Sequence, residues 1–149
     1  MSVDHRTLMD GFADVIRTQE WDRLGDVVAE DAVWEWPQSG ERFRGLANIR
    51  ATFENHPGLE PGASQLEELI GGETYALTPM YTVVTVDGSG NRGAAIIRTR
   101  YPDGSRWWVV NLYELRDGKI GHLRAFFAPE FEPPDWRRPL HDTEPAAGT

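Results

Sequence analysis

From Ser64 onward the apolar residues of this chain recur at every second position, and glycine-bearing turns cut the stretch into strands. The turns are Gly71-Gly72, Asp87-Gly88-Ser89-Gly90, Pro102-Asp103-Gly104 and Asp117-Gly118, and the segments between them run Ser64 to Ile70, Thr74 to Val86, Arg92 to Tyr101, Arg106 to Leu115 and Lys119 to Phe127. Connections this short make neighbouring strands antiparallel, because a parallel neighbour needs a crossover of a dozen residues or more. Upstream the period is helical. Leu8, Phe12, Val15 and Ile16 share one face between Asp4 and Gln19, with Asp4 as N-cap. A second short helix is expected over Trp21 to Glu30, then a strand over Ala32 to Trp36 stopped by Pro37. Arg44-Gly45 leads into a third helix, with Leu46, Ile49, Ala51 and Phe53 as its apolar face and His56-Pro57-Gly58 at its end. Helices first and an antiparallel meander afterwards give an α+β fold.

The chain's 149 residues suit a single domain, expected over 1–138. The tail 139–149 is rich in Pro and charge and is expected to be disordered, while Pro133-Pro134-Asp135-Trp136-Arg137 is expected to fold back with Trp136 docked. With no Cys, the chain has no disulfide, thiolate metal ligand or cysteine nucleophile. A formal charge of −9 opposes approach to nucleic acid or anionic lipid, so neither is expected as a partner. The first residues lack the order of a signal peptide and no apolar run approaches a membrane span, which together read as a cytoplasmic protein. Six Trp, six Phe and four Tyr exceed what a minimal core needs and suit either a core or the wall of an apolar ligand pocket.

Within Arg106 to Leu115, alternation puts Trp107, Val109, Asn111, Tyr113 and Leu115 on one face and Trp108, Val110, Leu112 and Glu114 on the other. Both faces are largely apolar, so the second is expected to be covered by the same sheet of another subunit in a homodimer, with Ile96 and Phe126 in the same patch. A type I turn with a Gly bulge at Tyr101-Pro102-Asp103-Gly104-Ser105 sets Thr99, Ile97 and Ala95 beside Trp107, Val109 and Asn111. Arg98 and Arg100 then point outward, whereas a slip of one residue would bring Arg98 into the pocket. Asn111, a lone amide on a core face, needs either a structural partner or a ligand oxygen. Glu35, opposite in direction to Trp36, reads as a solvated or ion-paired carboxylate rather than an acid–base group. His56 suits a helix C-terminus, His122 and Arg124 share the outer face of the last strand, and His5 and His141 carry no signal. No His or carboxylate spacing suits a metal site and no Ser shows a nucleophile elbow.

Three blocks, Glu30-Asp31-Ala32-Val33-Trp34-Glu35-Trp36-Pro37, Phe43-Arg44-Gly45-Leu46-Ala47-Asn48-Ile49-Arg50 and Arg116-Asp117-Gly118-Lys119-Ile120, resemble the SnoaL-like polyketide cyclases and ketosteroid isomerases of the nuclear transport factor 2-like superfamily. The resemblance spans about residues 5 to 131. It implies a cone-shaped curved antiparallel sheet wrapped by three N-terminal helices around one apolar pocket. It does not imply one reaction, because the superfamily holds isomerases, dehydratases, cyclases, epoxide hydrolases and non-enzymatic binding domains. Matched residue by residue, the ketosteroid isomerase base falls at Trp36 and its oxyanion-hole Tyr at Phe12, so both groups are missing here, while its second oxyanion donor falls at Asn111. The catalytic Asp that follows an Arg in limonene epoxide hydrolases is replaced by Ala125 after Arg124. The resemblance thus implies a cofactor-independent enzyme that cyclises, dehydrates or isomerises a small apolar oxygen-bearing molecule, with Asn111 as its catalytic donor. Phe12, Trp34, Trp36, Trp107, Val109, Tyr113 and Phe127 are the expected ligand-binding wall. A non-catalytic binding domain of the same fold is the alternative, and a pure dimerisation module a third.

Overall fold

The computed structural model describes residues 3–56, 66–68, 74–76, 80–100 and 104–142. Helix α1 (His5–Thr18) starts at the predicted cap, where Asp4 Oδ1 accepts the backbone N–H of Thr7 at 3.1 Å. That bond holds the Asp4 carboxyl below its ordinary range. Leu8, Phe12, Val15 and Ile16 are buried as the spacing requires, joined by Met9 and Ala13. Gln19, in the left-handed region at φ 57°, ends the helix.

The expected helix over Trp21 to Glu30 is corrected. A 3₁₀-helix occupies Trp21–Asp26 alone, and strand β1 (Val28–Trp36) begins four residues before Ala32. Val27-Val28 fits a helix face or a strand equally well, and the strand prevails because Val28 finds a partner in Ile120. Strand β2 (Glu41–Arg44), a charged edge around Phe43 too short for a period to show, returns antiparallel along β1. Gly45 turns the chain into α2 (Leu46–Glu54) at φ 87°, where a Cβ would be strained.

The segment Thr74 to Val86 is also corrected, because it holds two strands. Strand β4 (Thr74–Ala76) pairs with β3 (Leu66–Glu68) in a separate ribbon, and β5 (Met80–Ser89) enters the main sheet beside β6 (Arg92–Arg100), β7 (Arg106–Arg116) and β8 (Lys119–Pro129). The main sheet is curved and open, ordered β2-β1-β8-β7-β6-β5. It is antiparallel except where β1 runs parallel to β8. At the β7–β8 hairpin, Asp117 and Gly118 both take positive φ, 52° and 79°, in keeping with the two-residue turn that follows strand twist. Helix α1 packs on β5 and α2 on β1, so the helices cover one face and place the core between themselves and the sheet. Two α-helices and one 3₁₀ turn therefore stand where three helices are expected. Among the described residues no helix is long and apolar enough to cross a membrane.

The predicted register holds, with Thr99 opposite Trp107, Ile97 opposite Val109 and Ala95 opposite Asn111. Arg98, opposite Trp108, lies on the outer face with its guanidinium 5.4 Å from the Trp108 ring centre. The tail departs from expectation. A second 3₁₀-helix spans Asp135–Leu140, and Trp136 is 68% exposed rather than docked. Local contacts hold the segment instead, with Asp135 paired to Arg138 at 2.7 Å and Arg137 over the Trp136 ring. The Pro57-Gly58 stop, the Gly71-Gly72 turn, residues 101–103 and residues 143–149 lie outside the described residues.

Candidate functional site

The helix-covered face of β7 carries Val109, Asn111, Tyr113 and Leu115, all buried, while Leu112 and Glu114 between them are exposed. Asn111 is 3% exposed, and among the described residues no hydrogen bond to its side chain is found. Its neighbours across the sheet are Ala95 on β6 and Ala125 on β8. Small side chains therefore flank the amide on both sides, so no large neighbour in its own row covers it. An amide held this way keeps its hydrogen-bonding capacity for a molecule that reaches this face.

Two aromatic clusters adjoin the face. Phe12 of α1 meets Trp34 of β1 at 6.0 Å between ring centres and Phe53 of α2 at 6.2 Å, and Trp21 stacks on Phe53 at 5.6 Å. Trp36 meets Phe43 at 4.5 Å and Phe127 at 5.5 Å, both edge-to-face. Phe127 lies opposite Val109, one row from Asn111. The structure thus divides the expected wall into Phe12 with Trp34, and Trp36 with Phe127. Trp107 stands apart, opposite Thr99 and Pro129, with its indole N–H donated to Ser105 Oγ at 2.9 Å. Phe53 and Trp21 join the wall without being singled out from sequence. Phe53 is already on the predicted apolar face of its helix, whereas nothing local marks Trp21.

Tyr113, expected in the ligand-binding wall, has a hydrogen-bond partner on α1. Its hydroxyl lies 2.9 Å from His5 Nδ1, and His5 Nε2 lies 3.0 Å from the Gly90 carbonyl oxygen. The carbonyl only accepts, so Nε2 carries a proton, and in the neutral imidazole Tyr113 donates to Nδ1. Burial pushes the Tyr113 phenol above its ordinary range. Beneath the pair, Gly88 and Gly93 face each other across β5 and β6. A Cβ on Gly88 would run into the His5 ring, and one on Gly93 into the Tyr113 ring. His5, which carries no signal in sequence, is therefore buried beside a residue of the expected wall, and Tyr113's hydroxyl is committed to it.

On the opposite face, Glu35 accepts from Arg42, with Nη2 at 2.7 Å, and pairs with His122 Nε2 at 2.9 Å. The His122 hydrogen bond first, and Arg42 second, hold its carboxyl below the ordinary range, away from acid–base work near neutrality. Among the described residues no cluster of three His, Asp or Glu side chains is placed to hold a metal ion.

The SnoaL-like domain model matches residues 9–123. A protein of unknown function from Burkholderia xenovorans LB400, described as NTF-2 like, is 26% identical, with a TM-score of 0.71 over 94% of each chain. A candidate ketosteroid isomerase from Kribbella flavida is 24% identical, with a TM-score of 0.73 over 96% of this chain and 91% of that one. An LEH-like epoxide hydrolase from M. tuberculosis shares the fold at 14% identity, with a TM-score of 0.57 over 81% of this chain and 80% of that one. No curated protein sequence matches this one.

Proposed function

This chain belongs to the SnoaL-like family, and on that premise we propose that it is a cofactor-independent enzyme that cyclises, dehydrates or isomerises a small apolar, oxygen-bearing molecule. The observation that carries the proposal is the Asn111 amide, buried between Ala95 and Ala125 and without a hydrogen bond among the described residues. An amide N–H kept dry and aimed at a ligand oxygen stabilises negative charge developing there, and losing one such donor costs about 2.7–4 kcal/mol in other enzymes. Phe12, Trp34, Trp36, Val109 and Phe127 supply apolar surface that orients the substrate. Neither ketosteroid isomerase chemistry nor limonene-type epoxide opening fits, because Trp36 and Ala125 stand where those reactions place their carboxylates.

Asn111→Leu keeps the approximate volume and removes the donor. The variant is expected to stay folded with equal or higher melting temperature and to lose ligand affinity or turnover by about tenfold or more, at 1.4 kcal/mol per decade. Native mass spectrometry of the purified protein supplies the ligand for that comparison. Undiminished binding and turnover in a folded variant would remove Asn111 from the site. A non-catalytic binding domain is the second reading, and one observation favours it: no Asp or Glu among the described residues is buried, so no carboxylate base accompanies the amide there.

A homodimer through the outer sheet face completes the proposal. Ile96 and Leu112 are each 36% exposed there, with Trp108, Val110 and Phe126 half-buried around them. A second copy covers such a contiguous apolar patch by symmetry.

A further inference from the structure

The exposed large apolar side chains of the described residues fall in two places. Ile96 and Leu112 stand on the outer face of the sheet, while Phe131, Trp136 and Leu140 follow the end of β8 and are 78%, 68% and 74% exposed. Every residue from Ala128 to Asp142 is exposed except Arg137, whose guanidinium lies 5.5 Å from the Trp136 ring centre. The segment is nevertheless held in one shape by its own contacts. Pro134 is extended, the Arg137 N–H donates to the Pro134 carbonyl at 3.1 Å, and Asp135 pairs with Arg138 at 2.7 Å. A Trp and an Arg displayed on such a turn lose little freedom when another surface covers them. They are also the residue types that carry most of the energy of protein contacts.

The surface that covers them follows from where the segment leaves the domain. Its last tie is Glu130, whose backbone N–H donates to the Arg106 carbonyl at 3.1 Å and whose carboxylate lies 3.7 Å from Arg98, the guanidinium over Trp108. The segment therefore departs from the rim of the apolar face through which two copies are proposed to meet. A stable contact takes about 800 Å² from each partner. On the sheet, Trp108, Val110 and Phe126 are already half-buried and supply only part of that. At about 150–250 Å² per aromatic side chain, Phe131 and Trp136 together leave roughly 300 Å² more to be covered. Charge favours the same partner. Two copies at −9 each repel, and the segment offers Arg137, which has no carboxylate partner among the described residues, to an acidic surface.

Resting on the homodimer proposed above, we infer that residues 131–140 form an arm exchanged between copies. Trp136 and Leu140 of one protomer pack on its partner at the rim of the outer sheet face, and the partner's arm does the same in return. In a single copy Trp136 stays exposed, and only the dimer buries it.

The test is sedimentation equilibrium of the full chain, with melting temperatures measured alongside. Trp136→Ala is expected to weaken the dimer by about tenfold or more, and Trp136→Phe, which keeps an aromatic ring, to weaken it less. In the monomeric Trp108→Glu background, Trp136→Ala should leave the melting temperature unchanged, because the arm has nothing to pack on there. An undiminished dimer in Trp136→Ala overturns the arm and leaves the sheet-face dimer intact. A melting temperature lowered equally in the Trp108→Glu monomer overturns it too, since Trp136 would then serve its own chain. Wild type that sediments as a monomer, or a dimer that survives Trp108→Glu, overturns the proposed homodimer and this inference with it.

Discussion

The His5–Tyr113 hydrogen bond shows how much one buried residue depends on what its neighbours lack. Two rings fit over strands β5 and β6 only because Gly88 and Gly93, opposite one another, leave the space. The bond ties the first residue of α1 to a strand 108 positions away. Tyr113→Phe removes the donor and leaves His5 Nδ1 buried without one, so it is expected to destabilise the fold by about 1–3 kcal/mol. Urea denaturation should show a lower midpoint at unchanged slope. An unchanged midpoint would mean that water satisfies the imidazole. Nothing in the sequence points to this pair, since a hydrogen bond between such distant residues has no local pattern. The face of Asn111, by contrast, is legible because alternation along a strand is a local property of the backbone. That its amide has no hydrogen-bond partner among the described residues is a matter of packing, and only the structure contains it.

At the scale of elements, Glu35 joins three strands: its own β1, β2 through Arg42 and β8 through His122. Its carboxyl is held below the ordinary value of 4.5 in the folded chain, so the folded state favours the ionised form. The stability this provides is therefore full above about pH 4.5 and is lost as pH falls through the lower folded value. Melting temperatures of wild type and Glu35→Gln should differ at neutral pH and converge in acid. A gap that stays constant down to pH 3 would assign the difference to packing alone. Elements with a long period were legible in advance, α1 and β7 among them. Strand β2 was not, because four mostly charged residues carry no pattern, and the start of β1 was not, because Val27-Val28 suits two structures until β8 chooses between them.

For the molecule as a whole, the proposed homodimer rests on the outer face of the sheet. Trp108 lies near the middle of that face, under Arg98, which also reaches Glu130 at 3.7 Å. Trp108→Glu puts a carboxylate where two copies would meet face to face, and two such charges across a symmetric contact repel each other. Sedimentation is expected to show a dimer for wild type and a monomer for the variant. A dimer that survives the substitution would place self-association elsewhere. The parallel pairing of β1 with β8 also sets an order of events during synthesis. While the ribosome is still adding β7, β1 has only the short β2 beside it, Trp34 lacks its neighbour Leu123, and Asn111 lacks Ala125. A chain interrupted at that stage presents an unpaired strand edge to whatever it meets, which makes nascent chains the form most in need of a chaperone. The proposed ligand site is accordingly among the last parts of the molecule to come into existence, completed only when β8 has left the exit tunnel and settled between β7, made just before it, and β1, made long before.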